Sequence, residues 1–272
     1  MPYDLQTFDK WTNRFHFDHA PLSDITCPIV AGIVYLVLVF GLPGLLRATG
    51  TDVRLRKSFG NILWLHNYIL CIWSFVMCIG CLREMFRRTS DENGSWEWFF
   101  CETPSVKSGV GSAYFWSYVY YLSKYYELLD TILAVLNGSR VPFFYLHVFH
   151  HSCVLFMAWN WLRYRQTLQF GGLVFNTFVH VLMYYYYAQK AIGVRVSWKH
   201  WITRVQILQF ATSLVLFAVT CGYLRDRGLD GCAGTSQLFA NLAFNLTLLW
   251  QFVGVLTKNS RSEKKGGKLK RP

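Results

Sequence analysis

Long apolar runs alternate with short polar segments along most of the chain. Six runs contain no Asp, Glu, Lys or Arg, and they cover residues 27–46, 61–82, 141–162, 166–189, 205–224 and 235–256. A seventh run, 110–136, is as long but includes three charged residues. Since roughly 20 helical residues cross a hydrocarbon layer of about 30 Å, each run is long enough to span a membrane. Helices also satisfy their own backbone groups in lipid, so the pattern predicts an all-α integral membrane protein with seven transmembrane helices.

The composition supports this prediction and leaves no room for a separate soluble domain. Hydrophobic residues make up 53% of the 272 residues and charged residues 15%, whereas about a quarter of a typical soluble domain is charged. The runs divide the chain into an N-terminal segment, 1–26, a membrane domain, 27–257, and a basic tail, 258–272. The N-terminal segment is polar, and no small-residue cleavage site follows the first run, so we interpret that run as the first helix rather than a signal peptide.

The distribution of charge predicts the orientation in the membrane. If the C-terminus is cytosolic, seven spans place the N-terminus in the lumen. The cytosolic segments then carry 15 Lys and Arg, with only Asp52 and Glu263 as acidic residues. Lys and Arg prefer the cytosolic side, so the net charge of +12 indicates membrane topology and needs no nucleic acid.

The tail and the cysteines add two expectations. Lys268 and Lys270 resemble a dilysine-type retrieval signal of the endoplasmic reticulum, although a basic tail attracted to anionic lipid is the alternative. Cys101 and Cys232 both fall in predicted lumenal loops, where disulfides can form, so a bond between them is a hypothesis. The other cysteines give no convincing metal or redox pair, and no metal site is predicted.

Polar residues inside the spans are costly in lipid and therefore mark a candidate site. Four groups stand out, and within each group spacings of mostly three or four residues place the side chains on one helix face. The groups are Lys124, Glu127, Asp130 and Thr131; His147, His150 and His151; Asn176, His180, Tyr184 and Tyr187; and Thr203, Gln206 and Gln209. Structural ion pairs and interhelical hydrogen bonds are the alternative roles. In the predicted topology all four groups lie in the cytosolic half of the membrane, which favours one polar chamber.

The four groups together resemble the motifs of the fatty-acid elongase family. The patterns are Lys-x-x-Glu-x-x-Asp-Thr at 124–131, His-x-x-His-His at 147–151, Asn-x-x-x-His-x-x-Met-Tyr at 176–184 and Thr-x-x-Gln-x-x-Gln at 203–209. The resemblance covers about residues 27–257. It implies seven transmembrane helices, six of which form a barrel around an acyl tunnel that opens to the cytosol.

The same resemblance implies the reaction and the partners. Acyl-CoA and malonyl-CoA would be condensed to a 3-ketoacyl-CoA with release of CO2 and CoA, and no further cofactor would take part. Reductases and a dehydratase of the endoplasmic reticulum would complete the elongation cycle, and oligomers are common in the family.

The resemblance also implies roles for the histidines. His150, the middle histidine of its motif, would attack the acyl thioester, since a neutral imidazole can form a reactive acyl-imidazole. His180 would assist as an acid or base. His147 and His151 would orient groups or relay protons, because an imidazole can adopt either protonation state near neutral pH.

Hydrogen-bond donors and basic residues complete the predicted site. Candidate donors to an oxyanion are Asn176, Gln209 and Lys124. Residues expected to support the site from behind are Glu127, Asp130, Thr131, Gln206 and Tyr184. The candidates for contact with CoA are Lys199, Arg204 and Tyr187, with the general cytosolic bias of basic residues as the alternative for the first two.

Two functions of other classes stay open at this point. A di-iron desaturase or hydroxylase also uses His-x-x-His-His, but it needs more histidine boxes, and the eight histidines here include no second such motif. A seven-helix transporter, channel or receptor could use the same polar groups along a proton or lipid path. We see neither the paired broken helices nor the internal repeat that transporters show.

Two glycosylation sequons test the predicted orientation. Asn93-Gly-Ser95 would face the lumen and Asn137-Gly-Ser139 the cytosol. We therefore expect a glycan on Asn93 alone in protein made with microsomes. Asn93→Gln should abolish the gel shift caused by glycosidase, and Asn137→Gln should leave it unchanged. A glycan on Asn137 would reverse the orientation.

Overall fold

The computed structural model describes residues 5–50, 59–104, 109–138 and 144–268, which fold almost entirely as helices. The α-helices are α1 (Leu5–Thr12), α2 (Thr26–Ala48), α3 (Phe59–Asp91), α4 (Glu97–Phe100), α5 (Ser112–Glu127), α6 (Leu129–Leu136), α7 (Phe144–Arg163), α8 (Gln169–Ala191), α9 (Lys199–Arg227) and α10 (Thr235–Lys268). A 3-10 turn, Phe17–His19, follows α1. Within the described ranges the β-structure is limited to one isolated bridge, between His16 and Val110. The predicted all-α class is confirmed.

Helix covers most of the described part of each apolar run, but the runs differ in how strongly their composition favours lipid. Among the described residues, four segments are long and apolar enough to cross a bilayer: Thr26–Ala48, Gly60–Asp91, Lys199–Arg227 and Thr235–Thr257. α7 and α8 contain the His, Asn and Tyr residues of the candidate site, which are less apolar, and α5 and α6, of 16 and 8 residues, are each shorter than a bilayer crossing requires. The chain is a multi-pass membrane protein, and the number of seven crossings stays a prediction.

The apolar run at 110–136 contains two helices, whereas the sequence predicts one. α5 ends at Glu127, and α6 begins at Leu129. Between them the N–H of Leu128 donates to the Tyr125 carbonyl at 3.3 Å, a bond of the tighter 3-10 type. Leu128 keeps helical dihedral angles, φ −59° and ψ −26°, so Glu127 and Asp130 stay about one turn apart, although their partners differ.

Six helices contact one another in a closed order. α3 packs on α8, α8 on α9, α9 on α10, α10 on α7, α7 on α5, and α5 again on α3. α2 lies outside this order against α6 and α7. Its outward side chains include Val30, Val37 and Phe40, each more than half exposed. Such a surface suits lipid, because its side chains are apolar and the helix pairs its own backbone groups.

A disulfide and backbone hydrogen bonds fix one end of the bundle. Cys101, after α4, is bonded to Cys232, before α10, with the Cα atoms 4.9 Å apart. The N–H of Ala233 donates to the Glu102 carbonyl at 2.7 Å, and the N–H of Thr167 donates to the Ala233 carbonyl at 3.0 Å. Three loops are therefore joined here, and we call this the disulfide end.

The N-terminal helix lies over the disulfide end. Asp9 of α1 accepts two hydrogen bonds from Arg83, at 2.7 and 2.9 Å, and Asn13 accepts one from Arg87 at 2.8 Å. Asn93 is exposed in the turn after α3, as an acceptor of glycan would need to be. Ser139 of the second sequon and Lys270 of the tail lie outside the described residues.

The disulfide closes a long stretch of sequence and should contribute to stability. It joins residues 131 positions apart, and removal of such a bond typically costs about 2–5 kcal/mol. We expect Cys101→Ser/Cys232→Ser to lower the melting temperature of the detergent-solubilised protein. Cys221→Ser, at a free cysteine of α9, is the matched control and should melt like the wild type. Detection of both free thiols in the untreated wild type would contradict the bond.

Candidate active site

Two cavities lie between the helices and share part of their walls. The first, which we call the polar cavity, is lined by residues that include His147, His151, His180, Tyr184 and Lys199. The second, the apolar cavity, is lined by residues that include Met157, Trp161, Leu168, Leu216 and Leu238. His150, Asn176, Gln209 and Phe210 line both. Predicted residues of α7, α8 and α9 therefore meet where the two cavities adjoin.

The two cavities extend from this junction in opposite directions. Along α7 the apolar cavity runs from His150 to Trp161, a rise of about 16 Å toward the disulfide end. The polar cavity reaches Lys190 and Lys199, at the end of α8 and the start of α9. We call that end the mouth. The arrangement offers one polar and one apolar space on either side of a histidine.

The three histidines of α7 lie close together. The ring centroids of His147 and His151 are 4.3 Å apart, and those of His150 and His151 are 5.4 Å apart. The His150 ring also stacks on Phe244 of α10, at 6.3 Å and 16°. One ring nitrogen of each histidine is buried without a hydrogen-bond partner among the described residues. Since buried polar atoms normally have partners, these nitrogens are available to a ligand or to water.

Lys124 is buried behind the cavity walls and does not line either cavity. Its Nζ donates to Glu127 Oε1 at 2.6 Å and to Asn176 Oδ1 at 3.3 Å. It also lies 4.1 Å from the centroid of the Tyr120 ring. A buried ammonium requires such compensation. The structure places Lys124 in contact with Asn176 and outside the walls of both cavities, so a direct contact with substrate stays a prediction.

Two donors fix the amide of Asn176. Its Oδ1 accepts from the Tyr120 hydroxyl at 2.9 Å and from Lys124. With the oxygen occupied in this way, Nδ2 is the amide atom left to face the cavities that Asn176 lines. An N–H group that is already oriented can donate to an oxyanion as charge develops.

Glu127 contacts residues of both α5 and α8. Its Oε1 lies 3.6 Å from Nδ1 of His180 and accepts from the Ser123 hydroxyl at 3.1 Å, in addition to Lys124. Its Oε2 has no partner among the described residues. Glu127 therefore lies behind His180, where the supporting role predicted for it requires it to be.

Asp130 is surrounded by groups from three other helices. His66 Nε2 of α3 lies 2.6 Å from Oδ1, and the Tyr184 hydroxyl of α8 donates to Oδ2 at 2.7 Å. Nε2 of His151 lies 3.8 Å from Oδ2. The sequence reasoning did not include His66 in the site, because it is a lone histidine in an apolar run. The one sequence signal for His66 is its place near the predicted cytosolic end of its run, the same side of the membrane as the four polar groups.

Other predicted residues divide between the cavity wall and the exterior. Gln206 and Tyr187 line the polar cavity with Lys199. Arg204 does not; it is exposed, and its guanidinium lies 5.0 Å from the Trp201 ring. Thr131 lies away from both cavities and shares a hydrogen bond of 2.8 Å with Tyr35 of α2.

Comparison with known proteins identifies the family of the chain. Residues 20–268 match the family model described as ELO: GNS1/SUR4 family. The chain belongs to the ELO family. This ELO protein is 41% identical to a putative fatty acid elongase of Dictyostelium discoideum, over 75% of its own length and 66% of the relative. It is 31% identical to fatty acid elongase A of the same organism, over 92% and 87% of the two chains. It is 28% identical to very long chain fatty acid elongase 5 of Tachysurus fulvidraco, over 81% and 70%.

The family match includes all four polar groups of this ELO protein and both cavities. The resemblance drawn from the motifs is thereby confirmed at the level of the family. The desaturase and transporter alternatives find no support in these comparisons, since the relatives carry the name of elongase.

The Lys124–Glu127 pair provides a test of this geometry. Glu127→Gln leaves a buried ammonium without its counter-charge, and loss of one partner from a buried pair costs about 3–5 kcal/mol. We expect a clear fall in melting temperature, and substantial recovery in Lys124→Met/Glu127→Gln, where both charges are gone.

The matched control is Glu92→Gln, which removes a partly exposed partner of Arg88. Exposed pairs contribute about 1 kcal/mol or less, so this variant should melt close to the wild type. If Glu127→Gln and Glu92→Gln have the same small effect, the pair is not buried in the way described.

Proposed function

We propose that this ELO protein is a membrane condensing enzyme, a very-long-chain 3-oxoacyl-CoA synthase, that lengthens fatty acyl-CoA by two carbons with malonyl-CoA. The observation that carries the proposal is the junction at which His150, Asn176 and Gln209 line both cavities. An acyl thioester has a polar carrier on one side of its carbonyl and an apolar chain on the other. Such a substrate suits two adjoining cavities with reactive groups between them.

In the first half-reaction His150 attacks the thioester carbonyl. A nitrogen–carbon bond forms and the carbon–sulfur bond breaks, which gives an acyl-imidazole and CoA; the departing sulfur receives the imidazole proton. The His150 ring stacks on Phe244, and its Nδ1 has no hydrogen-bond partner in the described part of the chain, which suits this role. The amide of Asn176, and that of Gln209 from α9, are the proposed donors to the oxyanion.

In the second half-reaction malonyl-CoA replaces CoA in the polar cavity. Loss of CO2 leaves the electron pair of the broken bond on the thioester as an enolate. The enolate carbon attacks the acyl carbonyl, a carbon–carbon bond forms, and His150 is released as the 3-ketoacyl-CoA leaves. His180, backed by Glu127, and the His147–His151 pair are the groups proposed to orient the malonyl thioester and to return protons.

The two cavities would also determine how the substrates are bound. Lys199, with Lys190 and Tyr187 nearby, is the proposed contact for CoA phosphates at the mouth. The acyl chain would extend along α7 toward Trp161 and Leu168. Each buried methylene adds about 0.8 kcal/mol until the chain meets the end of the cavity, so that end would set the preferred length.

We also propose the arrangement in the membrane. Seven spans, with six in the closed order described above around the acyl cavity and α2 outside, would place the disulfide end in the lumen of the endoplasmic reticulum and the mouth in the cytosol. The charge distribution and the Cys101–Cys232 bond support this orientation. Cytosolic access would let reductases and the dehydratase take over the product, and a homo-oligomer is compatible with it.

The nucleophile is tested by elongation assays in membranes with labelled malonyl-CoA and a panel of acyl-CoAs. We expect His150→Ala to lower the rate by at least about 10³-fold, as loss of a nucleophile typically does. His200→Ala, at an exposed histidine at the start of α9, is the matched control and should retain wild-type activity.

Incubation with acyl-CoA alone, followed by mass spectrometry, distinguishes a covalent mechanism from direct transfer. The wild type should carry an acyl group on the peptide containing His150, and malonyl-CoA should remove it. An elongating enzyme that never forms this adduct transfers the acyl group directly. Wild-type elongation by His150→Ala would show that the nucleophile is wrongly assigned.

A further inference from the structure

His66 lies outside the four motifs and outside the walls of both cavities, yet it contacts a carboxylate of the site. It lies on α3, is 4% exposed, and its Nε2 is 2.6 Å from Asp130 Oδ1. Its ring lies 5.0 Å from that of Tyr126, at 35°. A buried polar side chain in a membrane helix needs a partner, and Asp130 is the partner that the structure provides.

Asp130 connects His66 to the histidines of α7. While Oδ1 contacts His66, Oδ2 accepts from Tyr184 at 2.7 Å and faces Nε2 of His151 at 3.8 Å. The His151 ring lies in turn against His147, and both histidines line the polar cavity. A continuous series of contacts therefore runs from α3, through the start of α6, to the cavity wall on α7.

Two donors on different oxygens restrict the rotation of a carboxylate. With His66 on Oδ1 and Tyr184 on Oδ2, the plane of the Asp130 carboxylate is defined, and Oδ2 is directed at His151. Without the donor on Oδ1, the group could turn about its terminal torsion, which is broad for Asp. The direction of Asp130, and with it that of His151, thus depends on His66.

We propose that His66 is a positioning residue for the condensation reaction. By holding Oδ1 of Asp130, it directs Oδ2 at His151 and sets the orientation of the His147–His151 pair in the wall of the polar cavity. The effect on rate rests on the proposed function, whereas the effect on the orientation of His151 does not. His66 touches no substrate in this scheme and acts through Asp130.

Three substitutions separate hydrogen bonding from packing. The amide nitrogen of Gln can reach about as far as imidazole Nε2, that of Asn stops near Nδ1, and Leu has no donor. We expect His66→Leu and His66→Asn to lower kcat about 10- to 100-fold with little change in KM, by analogy with the loss of a partner that orients a metal-bound histidine. His66→Gln should recover most of the rate.

The matched control for packing is Met77→Ala, on the same helix and 1% exposed. It should lower the melting temperature, since truncation of a buried side chain leaves a cavity, but leave kcat per folded molecule unchanged. The proposal is overturned if all three His66 variants have the same rate, or if Met77→Ala lowers kcat as His66→Leu does.

A second measurement does not depend on elongation. Diethyl pyrocarbonate modifies unprotonated imidazole nitrogens, and mass spectrometry of the α7 peptide reports each histidine. Release of His151 from Asp130 should raise its modification rate several-fold in His66→Leu and His66→Asn, but not in His66→Gln or Met77→Ala. Equal rates at His151 in all five proteins would overturn the proposal. If the wild type elongates no acyl-CoA while this pattern appears, the proposed function fails and the positioning role stands.

Discussion

The ion pair between Lys124 and Glu127 is the contact on which the rest of the site depends. Nζ and Oε1 are 2.6 Å apart, and neither side chain is exposed. At such a position each charge is tolerable only with the other, because an unpaired ion would have to be desolvated without compensation. Asn176 and His180, both of α8, contact the same pair at 3.3 and 3.6 Å. Because both charges lie on α5 and both contacted residues lie on α8, a slip of one residue between the helices would break the contacts to Asn176 and His180, and the pair thereby helps to fix the register of α5 against α8.

The short segment around Leu128 serves several helices of the site. Glu127 contacts α8 through His180, whereas Asp130 contacts α3 through His66, α8 through Tyr184 and α7 through His151. Leu128 keeps helical dihedral angles, φ −59° and ψ −26°, so the two carboxylates remain about one helical turn apart. Each carboxylate nevertheless has its own set of partners.

The sequence predicted that these polar groups would lie close together because their spacing gives a helix face, and because the proposed topology puts all four groups near one side of the membrane. His150, Asn176 and Gln209 come from three helices, and the structure brings them to one junction. Helix breaks and the directions of individual side chains were harder to predict from the sequence. The interruption at Leu128 has no Gly or Pro to signal it, and nothing local shows that Arg204 lies against Trp201 rather than toward the cavity.

Two further residues show why tertiary contacts were needed. Lys124 is a residue type that can donate to a substrate, yet its ammonium contacts Glu127 of its own helix and also Asn176, a contact that arises from the packing of α5 on α8. His66 is a single histidine in an apolar run, and its importance lies in a partner 64 residues away in sequence. Periodicity within one helix cannot report a contact that another helix creates.

The geometry of the junction also bears on the order of the proposed reaction. Both substrates carry CoA, and the polar cavity that adjoins His150 leads to the mouth marked by Lys190 and Lys199. A direct transfer would need both thioesters, each with its carrier, beside His150 at the same time. A covalent acyl-imidazole removes this requirement, because the first CoA can leave while the acyl chain stays in the apolar cavity. The shared wall of the two cavities therefore favours a mechanism in which malonyl-CoA enters only after the first CoA has departed, with His150 holding the acyl group in between.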